Sequence, residues 1–243
     1  MFVKNRLGMT ESVETLLMQE QRLNQISNNL ANVDTAGYKK DNVTFWEMLY
    51  TASDNRQRVG KGVKNLTDYA QGVMDMTANP LDIAISGNGY FKIQTPSGVR
   101  YSRAGNFQLN SRGQLSTGDG NLVLGDGGPI ALTNSNFDVS PDGRIVANGA
   151  TVGKLAIANF TDPRGLIKEG ANLFRPKNNS VQEDAAGDYT VKQGFLEKSN
   201  VNSVVEMTEM IDLHRAYESQ QKVITTIDEI DDQSIRRVGK LTA

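Results

Sequence analysis

The 243-residue sequence contains no cysteine and a single histidine, His214. Without cysteine, the chain has no disulfide, no thiol nucleophile and no thiolate ligand for a metal. A lone histidine excludes sites built on several histidines, and it excludes a Ser-His-Asp triad anywhere but around residue 214. His214 stands beside Arg215 in a helical pattern, which favours a packed or surface side chain. We therefore expect no catalytic, metal or cofactor site, and no enzyme activity.

The sequence also lacks an excess of charge and a long apolar run. The 26 Lys and Arg residues nearly balance the 28 Asp and Glu residues, which argues against a nucleic-acid partner. No stretch approaches the roughly 20 apolar residues that span a bilayer, so we expect no membrane insertion. The N-terminus has no apolar h-region of roughly 7–15 residues, so we expect no cleaved signal peptide.

Three motifs resemble binding or catalytic sites, but each lacks a feature that such a site requires. Gly87-Asn88-Gly89 does not continue as a dinucleotide fingerprint, and no Walker lysine follows it. The glycine–aspartate pairs at 118–120 and 125–128 lack the ligand order of a calcium loop, so hairpin turns are the better interpretation. Asp138 and Asp142 flank one tight turn instead of forming a glycosidase pair.

Helix breakers are confined to the middle of the chain. All six prolines and 20 of the 23 glycines fall between residues 60 and 194. We therefore predict an α+β fold in which long N- and C-terminal helices form a coiled-coil-like domain, and a central antiparallel β-rich domain, similar to a sandwich or a barrel, lies between them in the sequence. The predicted divisions are an N-terminal helix within 1–32, an extended link at 33–70, the β domain at 71–200 and a C-terminal helix within 201–243.

Both terminal segments have helical apolar periodicity. Met9, Leu16, Leu23 and Leu30 repeat every seven residues over a helix predicted at 4–32. A coiled-coil seam and an amphipathic helix packed on its own domain both fit this spacing. A second helix is predicted at 203–238, and the spacing of Ser203 and Glu206 resembles a capping box. A lone terminal helix buries too little apolar surface to offset its conformational entropy, so we expect the two ends to order on assembly.

The middle of the chain alternates short apolar runs with turn formers. Strands are predicted at 81–85, 90–93, 99–101, 106–109, 122–124, 130–132, 137–139, 144–147 and 154–160. Pro141-Asp142-Gly143 is a turn, because proline presets φ and glycine adopts the left-handed conformation. The link carries an apolar cluster that includes Phe45, Trp46, Leu49 and Tyr50. A latch that folds back on the chain and an interface with a neighbouring molecule both fit this cluster.

Two sequence stretches are similar to a known family. Residues 27–39 read SNNLANVDTAGYK and residues 194–218 read GFLEKSNVNSVVEMTEMIDLHRAYE. They resemble the N- and C-terminal signatures of bacterial flagellar axial proteins of the rod and hook family, and the resemblance covers essentially the whole chain. Residues 72–85, 127–130 and 152–155 are more similar to the proximal rod protein. Residues 215–218 are closer to the distal rod and hook pattern, so the distal rod protein is the alternative.

The resemblance implies a structural subunit of the drive shaft that transmits torque from the motor to the hook and filament. In this family the terminal helices form an inner coiled-coil tube, and subunits polymerise helically in the basal-body rod, which spans the cell envelope. The implied partners are further copies, other axial proteins and the flagellar type III export apparatus, which exports the chain without a cleaved signal. A surface-displayed adhesin with a sugar-binding β domain is the alternative from another class, and an enzyme ranks third.

On this interpretation the apolar stripes of the two helices form the assembly interface, and asparagines near the end of the first helix fix its termination and bond across helices. The predicted interface residues are Met9, Val13, Leu16, Leu23, Ile26, Leu30, Asn28, Asn29, Asn32, Met210, Leu213, Tyr217, Ile224 and Ile227, with Phe45, Trp46, Leu49 and Tyr50 as a possible link interface.

Replacing Leu23 with aspartate tests the predicted seam. A charge in the apolar stripe is expected to abolish rod assembly and swimming while the β domain stays folded, because the charge cannot be buried between helices. Swimming in soft agar and circular dichroism of the purified chain measure the two effects. Normal swimming by this variant would count against the seam.

Overall fold

The computed structural model describes the backbone of residues 2–51, 57–132, 137–178, 181–185 and 187–241. It describes the side chains of residue 9 and of residues 11–46, 62–132, 137–178, 181–184 and 187–233. The chain divides into two compact units. Unit 1 comprises residues 1–31, 41–66 and 202–243, and unit 2 comprises residues 32–40 and 67–201.

Unit 1 contains two long helices and a two-stranded sheet. Its elements are α1 (Phe2–Ala31), β1 (Asp41–Thr51), β2 (Gln57–Thr67, whose last residue belongs to unit 2) and α2 (Ser203–Leu241). The predicted spans of the two helices are confirmed to within three residues. In the segment where an extended link is predicted, β1 pairs with β2. Neither described helix combines the length and apolar character needed to cross a membrane.

The two helices of unit 1 pack against each other in opposite directions. Asn29, near the C-terminal end of α1, contacts Glu206 in the first turn of α2. Arg22 lies two turns earlier in α1, and it contacts Glu209, which lies further along α2. Moving back along α1 therefore means moving forward along α2, so the pair is antiparallel.

The N-terminal cap of α2 differs from the prediction. The backbone N–H groups of Val204 and Val205 donate to the side chain of Asn202, at 3.1 and 3.3 Å. Asn202 is therefore the capping residue, and Ser203 is the first residue of the helix. The predicted capping box on Ser203 is wrong, because Asn202 occupies the capping position and Oε2 of Glu206 accepts a hydrogen bond from Asn29.

Unit 2 is built from short strands. They are β3 (Met74–Met76), β4 (Ile83–Gly87), β5 (Tyr90–Thr95), β6 (Gly98–Ser102), β7 (Gln108–Leu109), β8 (Leu115–Ser116), β9 (Leu122–Gly125), β10 (Gly128–Pro129), β11 (Phe137–Val139), β12 (Arg144–Ala147), β13 (Ala150–Lys154), β14 (Ile157–Asn159), β15 (Leu166–Gly170), β16 (Leu173–Pro176), β17 (Asp184–Ala185), β18 (Tyr189–Gln193) and β19 (Phe195–Glu197), with one 3-10 turn at Pro163–Gly165.

These strands form one large sheet and three small ones. The large sheet has the order β15-β16-β6-β5-β9-β8-β7, with β10 beside β9, β14 beside β5 and β17 beside β14. The small sheets are β11-β12-β13, β18-β4 and β19-β3. Every strand pair whose register is described is antiparallel. The prediction of a central antiparallel β-rich region between two terminal helices is confirmed.

The core of unit 2 lies against these sheets in two clusters. The larger centres on Phe91, whose ring meets that of Phe107 edge to face at 5.1 Å between centroids. The smaller is aromatic, with the rings of Tyr90, Phe160 and Phe174 in contact. Close packing of this kind makes the core sensitive to the loss of single methyl groups.

Local patterns place most of the predicted strands correctly, but about half of the strands of unit 2, including β3, β8 and all of β15 to β19, were not predicted. The strands predicted at 137–139 and 144–147 are reproduced residue for residue, and Gly143 closes the predicted turn with a φ of +85°. The strand predicted at 130–132 is wrong, because β10 ends at Pro129. Its apolar residues Ile130 and Leu132 are instead buried core side chains beyond the strand end.

Two valine-to-alanine changes compare the core of unit 2 with its surface. Val123 on β9 is fully buried, whereas Val99 on β6 is 41% exposed. Val123→Ala is expected to lower the free energy of unfolding by about 2 kcal/mol, because it leaves a cavity. Val99→Ala is expected to cost less than about 0.5 kcal/mol. Urea unfolding followed by the fluorescence of the core tyrosines measures both, and equal losses would contradict the core assignment.

Candidate assembly surface and the buried polar anchors

The predicted interface residues of α1 differ widely in burial. Ile26 is fully buried, and Leu16, Leu23 and Leu30 are half-buried. Met9 and Val13, towards the N-terminal end, are exposed. Within a single chain the stripe is thus covered only over its C-terminal half.

The predicted stripe of α2 is covered only in part along its whole length. Each of its five residues is half-buried, and they are Met210, Leu213, Tyr217, Ile224 and Ile227. The pairing of α1 with α2 therefore leaves apolar surface on both helices.

A second apolar stripe on α2 was missed by the sequence analysis. Val204, Met207 and Ile211 stand at positions i, i+3 and i+7, which lie on one face of a helix. All three side chains are exposed, Val204 by 71%. Their spacing was readable in the sequence, but the neighbouring stripe through Met210 offered a longer repeat.

Exposed apolar side chains are concentrated in unit 1. Among the described residues, 16 large apolar side chains are exposed, and 12 of them belong to unit 1. Of the 24 apolar side chains that are buried in the described part of the chain, only Ile26 belongs to unit 1. Single exposed apolar residues are ordinary, but a compact unit with this distribution has a surface suited to contact with other molecules.

Asn29 is a buried joint between three elements of unit 1. Its side chain is fully buried, and its amide nitrogen donates to the backbone oxygen of Asp41 at 2.9 Å. Its amide oxygen accepts from the backbone N–H of Asp41 at 3.0 Å. The same nitrogen donates to Oε2 of Glu206 at 3.1 Å. An asparagine side chain offers one donor group and one acceptor, so it pairs with Asp41 as a neighbouring strand would.

The other asparagines of the predicted site have different surroundings. Asn28 is exposed, whereas Asn32 lies just after α1 and its side chain accepts a hydrogen bond from Thr35 at 3.2 Å. Gln25, one turn before Asn29, also donates to the backbone oxygen of Asp41. The start of β1 is therefore held by two amides of α1.

The predicted link interface lies on β1. Phe45 is half-buried and Trp46 is 55% exposed. The indole of Trp46 lies directly on Gly62 of β2, where a Cβ would approach Nε1 to 1.8 Å. The side chains of Leu49 and Tyr50 lie outside the described residues.

A buried network of charges in unit 2 was not predicted. Lys39, Arg103 and Glu197, which we call the Glu197 network, are all buried. The ammonium group of Lys39 is 2.5 Å from Oε1 of Glu197, and Arg103 Nη1 is 3.2 Å from Oε2. Burial lowers the pKa of Lys39, and the carboxylate of Glu197 opposes that effect. The partners are up to 158 residues apart in sequence, so no local pattern reveals them.

The remaining candidate chemical residues form ordinary surface structure. The side chain of Asp142 pairs with Arg144 across its own turn, at 3.2 Å. Where side chains are described, no three or more acidic or histidine residues are grouped so that they could hold a metal ion.

Neighbouring asparagines on α1 provide a matched test of the Asn29 joint. Asn29→Asp places a buried carboxylate beside that of Glu206, and it is expected to destabilise unit 1 by about 3 kcal/mol at pH 7. The loss should shrink near pH 4, because a protonated aspartate can again donate. Asn28→Asp, at an exposed position, is expected to cost less than about 0.5 kcal/mol. Thermal melts of helical circular dichroism at both pH values measure these effects. Equal behaviour of the two variants would contradict the joint.

Three family models match the chain in the order expected along an axial protein. Residues 12–39 match the flagella basal body rod protein family, and residues 84–147 match the D1 domain of the flagellar hook proteins FlgE/F/G. Residues 192–237 match the C-terminal domain of the flagellar basal body rod FlgEFG proteins. The first match includes Asn29 and Lys39, and the last includes Glu197 and most of α2.

Whole-length relatives carry the same family names. The flagellar basal-body rod protein FlgG of Bacillus subtilis is 38% identical, over 87% of this chain and 91% of its own length. FlgF of Caulobacter vibrioides is 33% identical, over 91% and 93% of the two chains. The flagellar hook-basal body complex protein FlhO of Bacillus subtilis is 30% identical, over 96% and 99%. Resemblance to the proximal branch in particular stays a prediction, but these matches show that the chain belongs to the flagellar basal-body rod family.

Proposed function

We propose that this chain is a structural subunit of the flagellar basal-body rod and that it polymerises through unit 1. The observation that carries the proposal is the distribution of apolar side chains, which are buried in unit 2 and exposed in unit 1. The chain belongs to the rod family, and in an assembled rod such a surface would be buried against neighbouring subunits. A structural role of this kind needs no catalytic residues.

The size of the exposed surface favours contacts with several neighbours. Burying 12 half-covered or exposed apolar side chains is worth on the order of 10 kcal/mol. Association costs about 4–15 kcal/mol in lost freedom and ordering. One contact that covers part of this surface is therefore marginal, whereas several contacts in a lattice are stable.

The placement of the two exposed stripes favours an open polymer. The stripe of Met9, Val13 and Leu17 lies towards the N-terminal end of α1, whereas that of Val204, Met207 and Ile211 lies at the start of α2. Because the helices are antiparallel, these stripes lie near opposite ends of the pair. A contact of one stripe with the other on a second copy is head to tail, and such contacts continue into helical filaments when they do not close.

Within this arrangement we infer a coiled-coil-like packing of α1 and α2 with the helices of neighbouring copies. The half-buried residues of the predicted interface, from Leu16 to Leu30 and from Met210 to Ile227, would supply the seam. Asn29 would set the angle at which β1 leaves it. Trp46 would add an aromatic contact at the surface of β1.

The cellular context follows from the family. Relatives are named as basal-body rod and hook-basal body complex proteins, so the expected location is the basal body and the expected partners are other axial proteins. Export by the flagellar type III apparatus without a cleaved signal, and a place in the proximal segment of the rod, are parts of the proposal that rest on the resemblance.

A sugar-binding adhesin is not favoured. Such a module needs an exposed aromatic platform on the β-rich unit, whereas Tyr90, Tyr101, Phe160 and Phe174 are all buried in one cluster. Their edge-to-face contacts are those of a packed core.

Lysine substitutions on α2 test polymerisation through the exposed stripe. The double variant Met207→Lys and Ile211→Lys is expected to abolish swimming and to prevent filament formation by the purified chain, because two charges would have to be buried between subunits. The control variant carries Thr208→Lys and Ser219→Lys, which add the same charge at exposed polar positions of the same helix. It is expected to retain at least half of the swimming rate.

Complementation of a flagellated strain that lacks its own copy, together with electron microscopy of the purified chain, gives both readouts. Helical circular dichroism must match in the two variants. If the stripe variant swims and assembles like its control, polymerisation through this face of α2 is excluded.

A further inference from the structure

Residues 36–40, the segment that follows α1, are bonded along their whole length to other parts of unit 2. The backbone N–H of Gly37 donates to the backbone oxygen of Glu197 at 2.7 Å. The oxygens of Ala36 and Lys39 accept from the side chains of Asn172 and Lys168. The segment is therefore an integral part of unit 2, although it lies 27 residues before the rest of that unit begins.

Gly37 permits this close approach. Its φ is +69°, and a Cβ at this position would lie 2.3 Å from the backbone nitrogen of Ala104. A larger residue would need a conformation that non-glycine residues rarely adopt, and it would also strike a backbone that cannot yield. The segment can therefore lie this close to the backbone of Ala104 only with glycine at position 37.

Beneath the segment, the Glu197 network joins it to the far end of unit 2. Lys39 also donates to the backbone oxygen of Ala70 at 2.8 Å, and the backbone N–H of Gly72 donates to Glu197 at 3.1 Å. Removing one partner would leave an uncompensated charge in the interior, so the three groups are strongly coupled.

Asn200 closes the arrangement at the surface. Its side-chain oxygen accepts from the backbone N–H of Lys40 at 2.6 Å. Its amide nitrogen donates to the backbone oxygens of Asp68 and Ala70, at 2.9 and 3.2 Å. One side chain therefore holds together three segments that leave unit 2 and continue as unit 1.

We propose that these contacts form an anchor, made of residues 36–40, Glu197 and Asn200, through which folded unit 2 controls the pairing of α1 with α2. In the unfolded chain, 171 residues separate Ala31 from Ser203. Once the anchor forms, the free tether between the helices shortens to about eight residues, from 31 to 36 and from 200 to 203. This inference goes beyond the proposed rod function and does not depend on it.

The size of the effect follows from the tether. The effective concentration of two linked elements falls roughly as the −3/2 power of linker length. Shortening the tether from 171 to about eight residues therefore raises the pairing constant of the two helices about 100-fold. In a chain whose unit 2 has not folded, α1 and α2 would stay apart, so the helix pair forms after unit 2.

The test uses the full chain with Arg22→Cys and Glu209→Cys as sites for nitroxide labels. The chain has no other cysteine, and the ion pair that these residues form on the surface of the helix pair contributes little. Pulsed electron paramagnetic resonance measures the distance between labels at a concentration where the chain sediments as a monomer. Hydrogen exchange measures protection of the amides of residues 36–40 and of the Phe91 core in the same samples.

Asn200→Ala is the test variant and Asn110→Ala its control. Both asparagines are half-buried in unit 2, and both bond three groups, but those of Asn110 all lie within its own turn. In the parent chain and in Asn110→Ala, a narrow label distance is expected. In Asn200→Ala, residues 36–40 should lose protection, and the narrow component should give way to a broad distribution while the Phe91 core stays protected.

The possible results decide whether the pairing of α1 with α2 depends on the anchor. Loss of protection at 36–40 with an unchanged narrow distance would overturn the proposal. If Asn200→Ala leaves 36–40 protected, Gly37→Val displaces the segment by its clash with Ala104, and the same two readouts apply. If Gly37→Val also unfolds the Phe91 core, helices that stay paired would refute the proposal that folded unit 2 controls their pairing, and helices that separate would support it.

Discussion

The carboxylate of Glu197 sits in the interior of unit 2, where it can remain only because Lys39, Arg103 and the backbone of Gly72 surround it. A buried charge is costly unless its partners are in place, so the carboxylate restricts where three separate segments of the chain can lie. The segment after α1, the segment after β2 and the strand β19 all meet at this one group. The strands of unit 2 pack around separate apolar clusters, whereas the positions at which the chain enters and leaves unit 2 depend on this interaction.

The two units differ in how far they bury their apolar side chains. Unit 2 packs its phenylalanines and isoleucines between sheets and needs no partner to hide them. Among the described side chains of unit 1, Ile26 is the only buried apolar one, and amide hydrogen bonds at Asn29 and Gln25 hold the strand and helices in place. Polar bonds give geometry at little net gain in stability, since they replace bonds to water. A unit held in this way has a defined shape and a surface that still lacks apolar partners, which suits a building block better than a free-standing domain.

The features that could be predicted from the sequence are those that depend on neighbours along the chain. The seven-residue repeat of Met9 to Leu30 and the confinement of proline to the middle are local signals, and they located both helices and the β-rich region. The paired strands β1 and β2 escaped prediction because the aromatic residues around Trp46 also fit an irregular cluster, and the glycine that receives the indole lies 16 residues away. The cap of α2 was misplaced by one residue because Glu206, the expected partner of Ser203, is taken by Asn29 from the other end of the chain. The Glu197 network could not be predicted either, because its residues are also far apart in the sequence.

The hydrogen bond from the side chain of Asn200 to the backbone oxygen of Asp68 places the two ends of the 67–201 stretch side by side. A stretch whose ends meet can be treated as an insert, so its outer loops can lengthen or shorten without moving the flanking segments while Glu197 and Asn200 keep their contacts with residues 36–40. The 67–201 stretch of unit 2 is thus an insert between β2 and α2. The loops of this insert can change in length and sequence over evolutionary time, while the points at which the chain passes into unit 1 keep their spacing.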